Sequence, residues 1–188
     1  MPSYSIIENF EVHKNNRFLE IAESLKPELR HKEIKAAKEI MVGKDRQMRT
    51  VITEEYPIEN LYAKSLKRDD TVFVDFGDHA VGYVTLELSK TGSHQDAPVY
   101  FYLKFGERLE EMTDKTADYD GWLSRGWIQE EYIHVDVLPA KVKLPRRYSF
   151  RYMELRVIDT SAKFQLKING ISCDTVSAAV SYTHLRAH

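Results

Sequence analysis

The sequence has 188 residues, of which 43% are hydrophobic and 30% charged, and its formal net charge is -2 at pH 7, which is typical of one globular domain. The nearly balanced charge argues against nucleic-acid binding, which needs a basic surplus, and no apolar run is long enough to predict a membrane-spanning helix. The start of the chain lacks the pattern of a secretory signal peptide and the single cysteine, Cys173, excludes an internal disulfide, so we expect a cytoplasmic protein.

The sequence pattern of residues 1–44 predicts a leader segment with one short helix. Asn15 or Asn16 is a suitable N-cap, and the apolar residues that follow recur on one helical face. These residues are Phe18, Leu19, Ala22 and Leu25. Pro27 predicts the end of the helix, because proline disfavours helical geometry at the residue before it. Residues 33–42 stay ambiguous, since a run of lysine and alanine favours a helix while the Ile-Met-Val run after it favours an entering strand.

Residues 45–179 predict an all-β domain. From residue 70 onward apolar and polar residues alternate, which is typical of strands with one buried and one solvent-facing side. The predicted strands cover residues 71–76, 82–88, 99–105, 129–137, 141–144, 150–158, 164–168 and 171–176. Turn residues separate them at short spacing without intervening helices, so we expect two packed antiparallel sheets.

The turn signals refine the fold class. Asn169-Gly170 between the last two predicted strands indicates a tight hairpin, because both residues tolerate positive φ. The Cys…Trp…Cys spacing of immunoglobulin domains is absent. We therefore predict a jelly-roll-like antiparallel β-sandwich behind the helical leader.

The polar loop at residues 107–125 and its edge at Trp127 form the segment most suggestive of function. Long loops in compact domains are usually functional or disordered. Aromatic side chains beside carboxylates could stack on a sugar ring and bind its hydroxyl groups, so Tyr119, Trp122 and Trp127 are candidate carbohydrate-binding residues. The plainer interpretation, favoured by residue type, is that the tryptophans pack over the end of the sandwich or against another domain.

No motif predicts a catalytic residue, a metal site or another cofactor. Glu130 and Glu131 are adjacent and point to opposite faces of a strand, so they do not form a local acid and base pair. His134 has no nearby His or Cys at ligand spacing, and we expect a surface or cross-strand role for it. Asp118 and Asp120 lack the remainder of a calcium-binding loop.

Four segments share the order and spacing of a known domain. They read Val-Asp-Phe-Gly-Asp-His-Ala-Val-Gly-Tyr at 74–83, Leu-Lys-Phe-Gly-Glu-Arg-Leu at 103–109, Trp-Ile-Gln-Glu-Glu-Tyr-Ile at 127–133 and Leu-Pro-Arg-Arg-Tyr-Ser-Phe-Arg-Tyr-Met-Glu-Leu at 144–155. Together they resemble the N-terminal β-sandwich region of bacterial α-L-rhamnosidase-like enzymes, glycoside hydrolase family 78. We expect positive φ at Gly77, Gly82 and Gly106, where the strands stop or turn.

The resemblance implies a later (α/α)-barrel that carries the acid and base carboxylates of glycoside hydrolysis. No residue here matches those catalytic motifs, so we expect this chain to be inactive alone. The implied role is an accessory domain whose partners are that barrel and a rhamnoside or another carbohydrate. Two alternatives remain open, namely a stand-alone carbohydrate-binding jelly roll and a structural or oligomer-forming domain.

The last nine residues, 180–188, match one reading frame of a sequencing-library transposase adapter, GTC TCT TAT ACA CAT CTC CGA GCC CAC. The adapter has CT before that frame, so the preceding codon must encode Ser, Pro, Thr or Ala, and residue 179 is alanine. We therefore expect residues 180–188 to be non-native and the native chain to be longer, and we assign no function to His184 or His188.

Overall fold

The computed structural model describes residues 14–178 and confirms an all-β antiparallel sandwich behind a short helix. The expectation for residues 180–188 lies outside the described residues. Helices α1 and α2 span Asn16–Ser24 and Ile58–Ala63. The strands of the described part span Arg30–Lys35 (β1), Lys38–Lys44 (β2), Thr50–Pro57 (β3), Thr71–Gly92 (β4), Val99–Gly106 (β5), Glu130–Val135 (β6), Ala140–Lys143 (β7), Tyr148–Asp159 (β8) and Phe164–Ser177 (β9). Within residues 14–178, no helix has both the length and the apolar character needed to cross a membrane.

One strand, β4, belongs to both layers of the sandwich. Its first part pairs with β2 and β8, and its second part pairs with β9 and β7. The larger layer therefore has the order β3-β2-β4-β8-β5-β6, and the smaller layer has the order β1-β9-β4-β7. The strand changes layers at Gly82, which pairs with both Tyr148 of β8 and Thr175 of β9.

The glycines of β4 and β5 serve two different purposes. Positive φ is confirmed at Gly77, where φ is 83°. The prediction of positive φ is wrong at Gly82 and Gly106, and Gly82 needs glycine for space instead. A side chain at Gly82 would collide with the backbone carbonyl of Asp174, and a Cβ at Gly106 would come within 2.6 Å of the Met112 Cε. Because the chain does not turn at Gly82, β4 runs through two of the predicted strands.

The hairpin predicted at Asn169-Gly170 is wrong. Strand β9 passes through both residues, with Gly170 opposite Glu87 and Ile168 opposite Leu88, so Asn169 is the extra residue of a β-bulge. The Asn169 amide donates to Ser89 Oγ at 2.8 Å. Pairing with β4 on both sides of the bulge overrides the local turn preference.

Residues 30–44, which the sequence placed in the leader, add two strands to the sandwich. β1 pairs with β9, and β2 pairs with β3 and β4, so the ambiguous stretch at 33–42 is extended. Ala36, between β1 and β2, is buried in the core. Asn15 caps α1 by accepting from two backbone N–H groups, and no residue of α1 is buried. We therefore propose that the sandwich begins near Arg30 rather than at residue 45.

The core lies between the two layers and is rich in aromatic rings. Phe105 stacks on Tyr148 with centroids 4.3 Å apart, and Phe76 meets Phe150 edge-on at 4.9 Å. Each such side chain contributes about 1.5–3 kcal/mol by leaving water. The expectation of one solvent-facing side fails for β5, because Tyr102 on its outer face is also buried. The loop between β5 and β6 covers that face.

Candidate functional site

The loop between β5 and β6 folds back over the outer face of the larger layer. Short 3-10 helices interrupt it at Leu109–Met112, Thr116–Asp118 and Arg125–Trp127. In the first of these, Leu109 and Met112 pack with Ile40 and Tyr152 in a small apolar cluster separate from the main core. This contact fixes the beginning of the loop on the sheet.

Polar contacts fix the middle of the loop. Lys104, which is 6% exposed, donates from Nζ to the Asp114 carbonyl at 2.5 Å. The Glu130 carboxylate accepts from the Tyr102 hydroxyl at 2.6 Å and from Thr116 Oγ1. Burial and the neighbouring Glu130 carboxylate raise the pKa of Tyr102, so its hydroxyl stays a donor. The loop is therefore held by buried polar groups on β5 and by the half-buried Glu130 on β6.

A cavity of about 790 Å³ lies between this loop and the end of β5. Its lining residues include the aromatic Tyr119 and Trp127, the acidic Asp118 and Asp120, and the basic Lys104. Ligand sites in proteins usually measure about 300–1,000 Å³ and combine aromatic surface with a few polar groups. The cavity has both the size and the mixed chemistry of a small-molecule site.

The structure brings together two of the three predicted carbohydrate-binding residues. Tyr119 and Trp127 line the cavity, whereas Trp122 does not. Trp122 is 82% exposed and Trp127 is 76% exposed, so neither ring packs over the end of the sandwich within this chain. The Tyr119 hydroxyl lies against Gly121 where any side chain would collide with it, so Gly121 makes room for that ring.

Sequence reasoning missed Lys104, which joins the strand to the loop. A signal was available, since the face of β5 expected to be wet carries Tyr100, Tyr102 and Lys104. Two tyrosines and a lysine stem present much apolar surface, which indicates a face that something covers.

An ion pair with a buried carboxylate joins the first and fourth resemblance segments. Asp75 is 3% exposed, and Arg151 donates to its two carboxylate oxygens from Nε and Nη2, both at 2.9 Å. The Gly77 N–H also donates to Asp75, at 2.7 Å. Burial alone would raise the pKa of Asp75, but the hydrogen bonds from Arg151 and Gly77 outweigh it and hold that pKa below its usual value.

All four resemblance segments contribute one side chain each to a second network. Ser149 and the Gln129 side chain exchange two hydrogen bonds, from Ser149 N–H to Gln129 Oε1 and from Gln129 Nε2 to the Ser149 carbonyl, both at 2.7 Å. The Ser149 hydroxyl donates to Glu107 at 2.5 Å, and His79 Nε2 lies 3.0 Å from Ser149 Oγ. The segments therefore meet in space at one end of the larger layer.

This network does not have the geometry of a serine nucleophile. In a catalytic triad the carboxylate orients the histidine through one ring nitrogen while the serine contacts the other. Here Glu107 Oε1 and Ser149 Oγ both face His79 Nε2, with Glu107 at 3.4 Å, and Glu107 accepts the serine proton itself. The network ties strands together. Among residues 14–178 there is also no group of three or more His, Cys, Asp or Glu side chains placed to hold a metal ion.

Comparison with known proteins identifies the same domain. A family profile described as the glycosyl hydrolase family 78 alpha-rhamnosidase N-terminal domain matches residues 38–175. The solved structure of a rhamnosidase from Klebsiella oxytoca with rhamnose bound superposes with a TM-score of 0.83 and 34% identity, covering 88% of this chain and 33% of that chain. This chain thus spans about a third of the length of that rhamnosidase.

Two other solved structures are more distant. The family 78 rhamnosidase of Bacillus sp. GL1 gives a TM-score of 0.43 at 18% identity, covering 59% of this chain and 10% of that chain. A low-affinity xylan-binding module, CBM86, from Roseburia intestinalis gives a TM-score of 0.33 at 9% identity, covering 81% of this chain and 97% of that chain. A search of curated proteins found no match.

The profile match spans most of the chain and contains all four segments that meet around Asp75 and Ser149. The match to the Klebsiella oxytoca enzyme extends the agreement to the arrangement of the strands. The chain therefore belongs to the glycosyl hydrolase family 78 alpha-rhamnosidase N-terminal domain family.

Proposed function

We propose that this chain serves as the accessory N-terminal domain of an α-L-rhamnosidase-like glycoside hydrolase and is not catalytic by itself. The observation that carries the proposal is the profile match over residues 38–175. The similarity to a rhamnosidase of which this chain covers 33% also supports it. The rhamnose bound in that enzyme favours a rhamnoside as substrate of the whole protein.

The chemistry of such an enzyme would reside in another part of the polypeptide. A pair of carboxylates there would protonate the glycosidic oxygen and activate water. We propose that the sandwich packs on the (α/α)-barrel that supplies this pair. The exposed apolar side chain of Trp122, which lies outside the cavity, supports an interface on the side of the β5–β6 loop.

Two finer assignments also remain proposals. We propose that carbohydrate meets the domain at the β5–β6 loop through Tyr119 and Trp127, which line its cavity, and that Trp122, which lies outside the cavity, takes no part. We propose a cytoplasmic location, which the single buried thiol of Cys173 supports, since proteins of oxidising compartments commonly pair their cysteines.

Expression of the uninterrupted gene tests the main proposal. We expect the full-length protein to release p-nitrophenol from p-nitrophenyl α-L-rhamnoside, and the 188-residue chain to release none. The matched control is p-nitrophenyl α-D-glucoside, which the full-length protein should hydrolyse far more slowly. A full-length protein that folds and hydrolyses no rhamnoside would overturn the proposal.

A further inference from the structure

We infer that the cavity under the β5–β6 loop is a binding site for a neutral saccharide, with the rings of Tyr119 and Trp127 as its stacking surfaces. The inference deepens the proposed function by naming a ligand class and a place for it on this domain. It rests on that function only for the choice of rhamnose as the first sugar to test.

The aromatic walls suit the apolar face of a sugar ring. A pyranose presents C–H groups on its faces and hydroxyl groups at its edges, and an aromatic ring is attracted to the C–H face. Tyr119 and Trp127 lie on the same cavity, and the volume of about 790 Å³ admits a ring held between or beside them. Trp127 is 76% exposed, so an incoming ligand does not have to break existing packing to reach it.

The polar walls suit the hydroxyl groups at the ring edge. Asp118 and Asp120 offer carboxylate oxygens that accept, and the Ser124 hydroxyl, whose oxygen already accepts from the Gly126 N–H, offers a proton to donate. A sugar hydroxyl also donates and accepts, so it finds partners of both kinds on these walls. Hydrogen bonds to charged acceptors are stronger than those between neutral groups.

The charge of the cavity selects a neutral ligand over an anionic one. Its lining contains two ammonium groups, from Lys104 and Lys115, against four carboxylates. The carboxylates belong to Glu111, Asp114, Asp118 and Asp120. With a net charge of -2 from these groups, the walls repel a uronate or a phosphate at neutral pH.

The walls are organised before a ligand arrives. Lys104 holds the Asp114 carbonyl at 2.5 Å, Arg125 Nη2 donates to the Tyr119 carbonyl at 3.2 Å, and the Gly126 N–H donates to Ser124 Oγ at 3.2 Å. Because these contacts already order the loop, less conformational entropy is lost when a sugar binds.

Titration of the 188-residue chain with L-rhamnose and methyl α-L-rhamnoside, followed by calorimetry and amide NMR shifts, tests the inference. We expect saturable binding with shifts confined to residues around the cavity. Tyr119→Ala and Trp127→Ala should each weaken binding about tenfold, the loss expected of one stacking ring. Trp122→Ala removes an equally exposed tryptophan of the same loop outside the cavity, and it should leave the affinity unchanged.

Several outcomes overturn the inference. D-galacturonate or inorganic phosphate binding more tightly than every neutral sugar would contradict the charge argument. Equal losses of sugar affinity in Trp122→Ala and Trp127→Ala would show that the sugar binds outside the cavity. If L-rhamnose, D-glucose and D-galactose all fail to bind, the cavity is not a saccharide site and a contact with another protein domain would explain it instead. Asp120→Asn, an exposed change with little effect on folding, should weaken binding and provides a second test if Tyr119→Ala fails to fold.

The two proposals fail separately. A full-length protein that cleaves rhamnosides while its sandwich binds no sugar contradicts only the cavity site. A sandwich that binds neutral sugars through Trp127, in a full-length protein without rhamnosidase activity, contradicts only the proposed function.

Discussion

The Asp75 carboxylate stays ionised although it is almost completely buried from solvent. Only 3% of the residue is exposed, so desolvation works against the carboxylate form. Arg151 donates two parallel hydrogen bonds to the carboxylate, and the Arg151 side chain remains 39% exposed. The pair is therefore half buried, with the cost of desolvation concentrated on the acid.

Asp75→Asn should lower the free energy of unfolding by about 2 kcal/mol at pH 7, because Arg151 then loses a charged bidentate acceptor. The pKa of Asp75 is lower in the folded chain than in the unfolded chain. Its charge therefore stabilises the fold above pH about 4, and that contribution is lost as the pH falls through the folded-state pKa. Urea unfolding at pH 7, 5 and 3 should show the difference between Asp75→Asn and the wild type shrinking only at the lowest pH.

The exposed Asp136 provides the matched control. Asp136→Asn makes the same chemical change on the surface and should shift the urea midpoint by little at any of these pH values. A difference between Asp75→Asn and the wild type that grows on acidification would show that the Asp75 charge does not stabilise the fold.

Residue types indicated part of the lining of the cavity, although the sequence predicted no cavity as such. Aromatic rings beside carboxylates pointed to Tyr119 and Trp127, and both line it. Trp122 also stands beside carboxylates in the sequence, but it lies outside the cavity. Only the path of the folded loop decides which of the two tryptophans lines the cavity, and the local sequence does not show that path. The apolar surface on the outer face of β5 indicated that something covers Lys104, but its strand alone did not show that the covering segment is the β5–β6 loop.

At the scale of the elements, β4 shows where local patterns stop being sufficient. Alternation located both of its halves, at 71–76 and 82–88, yet the glycines between them suggested an end that does not exist. A glycine in a strand is compatible with a turn, a bulge or a close approach of another backbone, and the sequence does not distinguish these. At Gly82 the reason is Asp174, which lies far away along the chain.

Gly82→Ala should destabilise the protein by about 2–3 kcal/mol, because the new Cβ meets a backbone carbonyl that strand pairing prevents from moving. Gly126→Ala is the matched substitution in the loop, where the nearest atom would lie 3.4 Å away, and it should have little effect. Thermal unfolding followed by circular dichroism measures both. Equal unfolding temperatures for the two variants would argue against a fixed crossing at Gly82.

At the scale of the whole molecule, the sandwich extends into the residues that the sequence assigned to a leader. The helical propensity of lysine and alanine at 35–38 is weak compared with the backbone pairing available from β9 and β4. Alternation and turn spacing were enough to predict the class of fold, and the four segments were enough to indicate the family. The start of the domain depended on long-range pairing that no local window contains.

Two truncated chains test the proposed start of the domain. A chain beginning at Arg30 should unfold cooperatively near the wild-type temperature, because α1 has no buried residue. A chain beginning at residue 45 loses β1, β2 and the buried Ile40, and should lose cooperative unfolding. Calorimetry distinguishes the two, and a stable chain beginning at residue 45 would restore the boundary inferred from sequence.

The pairing of β1 with β9 has a consequence for how the protein is made. His31 and Asp174, which contact each other across these strands, are 143 residues apart in sequence. A ribosome adding about 5–20 residues per second needs roughly 7–30 s to deliver the second strand after the first. Throughout that interval the nascent chain carries β1 without its neighbour, as an open edge that other chains can join. Slower translation at low temperature lengthens this exposure, so co-expressed chaperones that shield nascent chains should raise the soluble yield most under those conditions.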